Sequence, residues 1–88
     1  MIEQALIDGE IAADVHRIEL GPGERSDPAR AAAGETLLYV SAGFGRIRGD
    51  GAASPLAPES VAWLEPGEPY VLEAGEAGLE LLLINARP

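Results

Sequence analysis

The chain has 88 residues, with six arginines and no lysine against fifteen Asp plus Glu, for a net charge of −9. That length supports one small domain, which buries only about 60–65% of the surface its unfolded chain exposes. No basic stripe is available for a phosphate backbone, so nucleic-acid binding is excluded, and an anionic membrane surface would repel the chain.

The absence of lysine removes Schiff-base chemistry and the lysine of a phosphate-binding loop. The absence of cysteine removes disulfide staples and thiolate metal sites. His16 is the single histidine, so one chain cannot supply two imidazoles. The first twenty residues are acidic where a secretory signal would need a basic flank and an apolar core, and no apolar run approaches membrane-spanning length. The expectation is a cytoplasmic protein.

In chain order, one helical turn is expected at Gln4–Ile7, followed by a strand over Ile11–Leu20. Gly21-Pro22-Gly23 reads as a turn. Ser26 to Gly34 has a capping Asp, a Pro, an alanine run and a closing Gly, and is open to either a short helix or a loop. Further strands are expected at Thr36–Ala42, Gly45–Arg48, Ser60–Leu64, Tyr70–Glu73 and Leu79–Asn85, with a short one at Ser54–Leu56. Gly49-Asp50-Gly51, Pro66-Gly67-Glu68-Pro69 and Gly75-Glu76-Ala77-Gly78 read as the turns between them. Many short strands with regular turn signals predict an all-β sandwich or barrel.

From residue 21 onward, two stretches resemble the cupin superfamily. Thr36-Leu37-Leu38-Tyr39-Val40-Ser41-Ala42-Gly43-Phe44-Gly45 is similar to the strand and turn of the first cupin motif. Leu56 through Pro69 is similar to the second. With the opening Gly of the first motif on Gly23, its two histidine positions fall on Ala29 and Ala31, its glutamate position on Thr36 and its closing Gly on Gly43. In the second motif the opening Gly falls on Glu59, the Pro on Glu65, the Gly on Gly67, the His on Tyr70 and the Asn on Ala74.

The resemblance implies a small cupin-type β-barrel, or double-stranded antiparallel jelly roll. It also implies a cage position occupied by side chains that are poor metal ligands. Residues 1–20 are expected to form an edge strand or dimer contact, and residues 21–88 the barrel core. A homodimer is expected, because unprotected sheet edges pair.

Side chains alternate faces along a strand. In the cupin register the barrel interior would therefore be lined by Ala29, Ala31, Thr36, Leu38, Val40, Tyr70 and Leu72. Apolar walls with a phenol and a hydroxyl suit a small apolar or weakly polar ligand; filled side chains without a cavity are the alternative. Tyr70 and His16 are the candidate acid and base, since His16 is in phase with Ile18 and Leu20. Arg17, Arg46 and Arg48 are expected to face outward and pair with glutamates. Glu24, Asp27 and Glu35 lack the spacing of a calcium loop.

The leading expectation is a metal-independent barrel, without a cofactor, that binds a small molecule or serves as a structural module. The alternatives are an isomerase, epimerase or cyclase using Tyr70 and His16, and a protein-interaction module presenting Phe44 or Tyr39.

Overall fold

The computed structural model describes residues 1–7, 13–49 and 51–86. Among these there is no helix. Seven strands form: β1 (Ile2–Ile7), β2 (Ala13–Leu20), β3 (Ala29–Arg30), β4 (Thr36–Arg48), β5 (Ala53–Leu56), β6 (Val61–Leu64) and β7 (Pro69–Ala86). The sheet order is β1-β2-β7-β4-β5, with β3 added to β7 and β6 to β4, and every pairing is antiparallel.

The ribbon of β4 and β7 organises the molecule. It pairs from Thr36 opposite Asn85 to Arg48 opposite Val71. Midway the register jumps: Gly43 faces Leu79, yet Gly45 faces Ala74, so two steps on β4 match five on β7. The half that contains Thr36 and Asn85 carries β1, β2 and β6, and the half beyond the jump carries β3 and β5. Buried side chains of both halves, Ile18, Leu38, Leu81 and Leu83 from one and Ile47, Leu56 and Leu72 from the other, join in one core cluster. The ribbon is thus bent so that the two inner faces meet.

This bend corrects two expectations. Gly75 to Gly78 is not a turn between separate strands but a bulge inside an 18-residue β7. Likewise Thr36–Ala42 and Gly45–Arg48 are one strand of 13 residues. A bulge adds residues to one strand and sharpens its twist without reversing the chain. Gly43 makes the approach possible: its φ is 84°, and a Cβ there would overlap the carbonyl oxygen of Gly78.

One helical expectation gives way to strand, and the segment left open between helix and loop takes the extended form. Gln4–Ile7 belongs to β1, which runs along the edge of β2 from Ile2 opposite Glu19. A helix of this length is unstable alone, whereas a sheet edge satisfies its backbone groups. The segment after Ser26 stays extended for the same reason. Ala29 pairs with Tyr70, the Ser26 amide donates to the Leu72 carbonyl at 2.8 Å, and the Ser26 hydroxyl accepts from the Leu72 amide at 2.8 Å. Of the expected first strand, Ile11 and Ala12 lie outside the described residues, as does Asp50 of the Gly49-Asp50-Gly51 turn.

The two outer faces differ. On the half with β6, Leu37 and Tyr39 of β4 pair with Trp63 and Val61 of β6 and with Ile84 and Leu82 of β7. Trp63 and Val61 are more than half exposed, giving an apolar outer surface. On the other half, Arg46 and Arg48 face outward with Glu73. No described helix is long and apolar enough to cross a membrane.

Gly43→Ala is expected to cost about 2–4 kcal/mol, from backbone overlap added to left-handed strain. Gly67→Ala, at a φ of 75° with open space around its Cα, is expected to cost only about 1 kcal/mol. Urea midpoints of the two variants would show the difference, and equal losses would mean that the close approach at Gly43 is not limiting.

Candidate functional site

Strand alternation sends Thr36, Leu38 and Val40 of β4, with Leu79, Leu81 and Leu83 of β7, to the inside. The residues expected to line the barrel are placed as follows. Thr36, Leu38, Val40 and Leu72 are fully buried, Ala31 is buried, and Ala29 and Tyr70 are half-buried. Tyr70 packs against the core cluster.

The end of the barrel remote from the bend is polar. The Thr36 hydroxyl lies 2.9 Å from Oδ1 of Asn85 and donates to it. Asp14 stands opposite Asn85 on the other side of β7. His16 is on the inner face, because Ile18 and Leu20, two and four residues on, are both buried. Glu3 of β1 is the diagonal neighbour of His16 across the β1–β2 pair, and its carboxylate lies 3.3 Å from His16 Nδ1. Nδ1 is thus the ring nitrogen turned to the carboxylate.

Tyr70 belongs to the same end. Burial first, and then the negative charge of Glu3, pushes its phenol above the ordinary value near 10. The hydroxyl is therefore neutral and a donor throughout the physiological range. The structure thus brings Tyr70 and His16 within the influence of one carboxylate. Glu3 was not legible as a site residue, because its segment reads as a helical turn. Asn85 was legible in principle, being in phase with Leu79, Leu81 and Leu83.

Open space lies beside this set rather than within it. A cleft of about 360 Å³ opens between β5 and β6. Ile47, Leu56, Ala62 and Leu64 form its inner wall, and Ser54, Trp63 and Glu68 contribute to its rim. Leu64 pairs with Thr36, Ala62 with Leu38, and Ile47 with Leu72, so the cleft abuts three of the expected lining residues. Sequence reading did not single out its wall, because short strands at β5 and β6 do not reveal where they leave a gap.

This barrel superimposes on a cupin superfamily protein from Desulfitobacterium hafniense with a TM-score of 0.86, at 20% identity, over 99% of this chain and 77% of that one. The fold is that of the cupins. A Cupin 2 conserved barrel domain protein from Salinispora arenicola gives a TM-score of 0.81 at 17% identity, covering 97% of this chain and 74% of that one. A predicted oxalate decarboxylase from Thermotoga maritima gives 0.75 at 24% identity, with 86% and 69% covered. No protein-family model matches the sequence. No curated protein matches it.

The cupin register is visible in the backbone. Gly23, Gly43 and Gly67, read as motif glycines, all have positive φ. Glu59, standing in the place of a motif glycine, has a φ of 71°, alone among described non-glycine residues. The turn is retained at a strain of about 1 kcal/mol.

The cupin fold commonly implies a metal, and the side chains at the positions that the sequence resemblance assigns to its cage are poor donors. Ala29 and Ala31 offer methyl groups, the Thr36 hydroxyl is committed to Asn85, and the Tyr70 phenol is held neutral. Among the described residues no group of three or more His, Cys, Asp or Glu side chains is placed to hold a metal ion.

The raised Tyr70 value gives a signed expectation. The unfolded phenol ionises at lower pH than the folded one, so its contribution to stability is complete below about pH 10 and is lost as pH rises through the folded value. Tyr70→Phe should flatten this alkaline loss, read as urea midpoints between about pH 9 and 11. An unchanged slope would place the burden on another group.

Proposed function

We propose that this chain is a metal-independent cupin barrel that binds a small, largely apolar molecule in the cleft between β5 and β6. The observation that carries the reading is the cleft itself. About 360 Å³ lies within the range of small-ligand sites, and its wall of Ile47, Leu56, Ala62 and Leu64 is apolar. Burying a ligand there removes apolar surface of both partners from water. Ser54 and Glu68 at the rim supply the few polar contacts that orient it.

Ala62 is the position at which to test this. Its methyl group leaves the space that the cleft occupies, so Ala62→Phe would fill the cleft while keeping an apolar wall. Thermal-shift screening with a panel of small alcohols, ketones and aromatic hydrocarbons should stabilise the native protein, and the shift should vanish in Ala62→Phe with the circular dichroism of the fold intact. If no compound shifts the native protein, or if the filled variant responds equally, the binding reading fails.

A second reading rests on a different observation, the Glu3–His16 pair, whose carboxylate also acts on the Tyr70 phenol through its charge. A carboxylate-oriented imidazole and a neutral phenol supply a base and an acid, the minimum for moving a proton at a carbon next to a carbonyl. Such an isomerase or epimerase would exchange that hydrogen with solvent. Incubation with small ketones and hydroxy ketones in deuterium oxide should then incorporate deuterium. The rate should fall by about two orders of magnitude in either Tyr70→Phe or His16→Asn. Exchange that persists in both variants would assign it to background chemistry and sink the enzyme reading.

A further inference from the structure

Three of the chain's six arginines converge on one carboxylate. Glu73 of β7, 12% exposed, receives Arg46 Nε at 2.7 Å on one oxygen, and Arg48 Nε at 3.0 Å and Arg25 Nη2 at 2.7 Å on the other. Hydrogen bonds from Arg48 and Arg46 hold its carboxyl below the usual carboxylate value, so Glu73 is charged at neutral pH. One negative charge then meets three guanidiniums, leaving two positive charges uncompensated in a chain whose net charge is −9.

Solvation of surface arginines does not require this convergence, and the abundant glutamates elsewhere would have paired them singly. The cluster borders a shallow, open depression. Arg25, Arg46 and Glu73 line a cleft of about 530 Å³, whose remaining wall is Gly23, Gly45, Ala74, Gly75 and Phe44. The Phe44 ring, 57% exposed, stands at the margin of this cleft.

We infer that this outer cleft is a binding site for a dianion carrying an apolar or aromatic body, its charged group a phosphate monoester or a dicarboxylate. Glu73 orients the guanidiniums. Arg46 and Arg48 each engage it through Nε, which leaves both terminal nitrogens for a second acceptor. A guanidinium matches carboxylate and phosphate oxygens in a planar, two-bond geometry. Arg48 is not among the lining residues but shares the same Glu73 carboxylate, so the cluster as a whole carries two surplus charges. These favour a dianion over a monoanion, and Phe44 would cover the ligand's body. This site lies on the outside of the barrel and is independent of the β5–β6 cleft.

Isothermal titration at low ionic strength with phenyl phosphate, phenylmalonate, benzoate and inorganic phosphate tests the inference. At least one of the two aryl dianions should saturate the native protein, with benzoate about tenfold weaker or more, and added salt should weaken binding. The tighter of the two identifies the charged group.

Arg46→Gln with Arg48→Gln should weaken the dianion about tenfold or more. Arg25→Gln, outside the β4–β7 ribbon, supplies the same comparison if the double variant unfolds. Phe44→Ala should weaken phenyl phosphate and leave inorganic phosphate unchanged. The inference is overturned if neither dianion saturates, if benzoate binds equally well, or if every folded arginine variant binds as the native protein does.

Discussion

The close approach of β4 and β7 at their bend is the constraint on which the rest of the barrel depends. At Gly43 and Gly45 one backbone lies against the carbonyls of Gly78 and Glu73, with no room for a Cβ. Because β7 gains residues between the partners of Gly43 and Gly45, the ribbon turns there and resumes its pairing on the far side. Every other strand is attached to one half or the other. The core of Leu38, Val40, Leu72 and Leu81 therefore exists only because the halves face each other. Hydrophobic burial drives this closure, but the absence of side chains at the corner permits it.

The same corner shapes the outside. Gly45 and Gly75 line the arginine cleft, and Phe44, between two glycines, is left projecting from a strand that has just bent. The chain's charge is distributed accordingly. Arg46 and Arg48 sit on the outer face of one half with Glu73, while Leu37, Tyr39, Val61 and Trp63 share the outer face of the other. A sheet with one buried face normally carries polar residues on its opposite side. The half that presents Trp63 departs from that pattern.

Inside the barrel, space and chemistry are separated. The polar groups at the open end, Thr36 with Asn85 and His16 with Glu3, are mutually engaged beside a half-buried Tyr70. The β5–β6 cleft lies on the other side of the Thr36–Leu64 and Leu38–Ala62 pairs, with Ile47, Leu56, Ala62 and Leu64 in its wall and Ser54 and Glu68 beside them. A wholly apolar core at this size fills readily, and Leu38 and Leu72 do fill it. The gap survives between β5 and β6 because β4 pairs with each over only four residues.

The all-β class, most strand positions and the cupin fold were legible in the sequence, since period-two alternation and turn chemistry act locally. Gly23, Gly43 and Gly67 occupy left-handed backbone positions that glycine serves at least cost, and the spacing that placed Glu59 among them holds in its φ. Thr36, Leu38, Val40 and Leu72 were legible as inward-facing for the same reason. Three things were not local. The strand character of Ile2–Ile7 and of Ala29–Arg30 comes from the free edges of β2 and β7, which short segments join whatever their own propensity. The continuity of β7 through Gly75 to Gly78 comes from its pairing on both sides of the bulge. The gathering of Arg25, Arg46 and Arg48 around Glu73, and of Glu3 beside His16, depends on cross-strand register, which sets neighbours far apart in the chain side by side. Alternation along a strand tells which face a residue takes; only the folded sheet decides what stands opposite it.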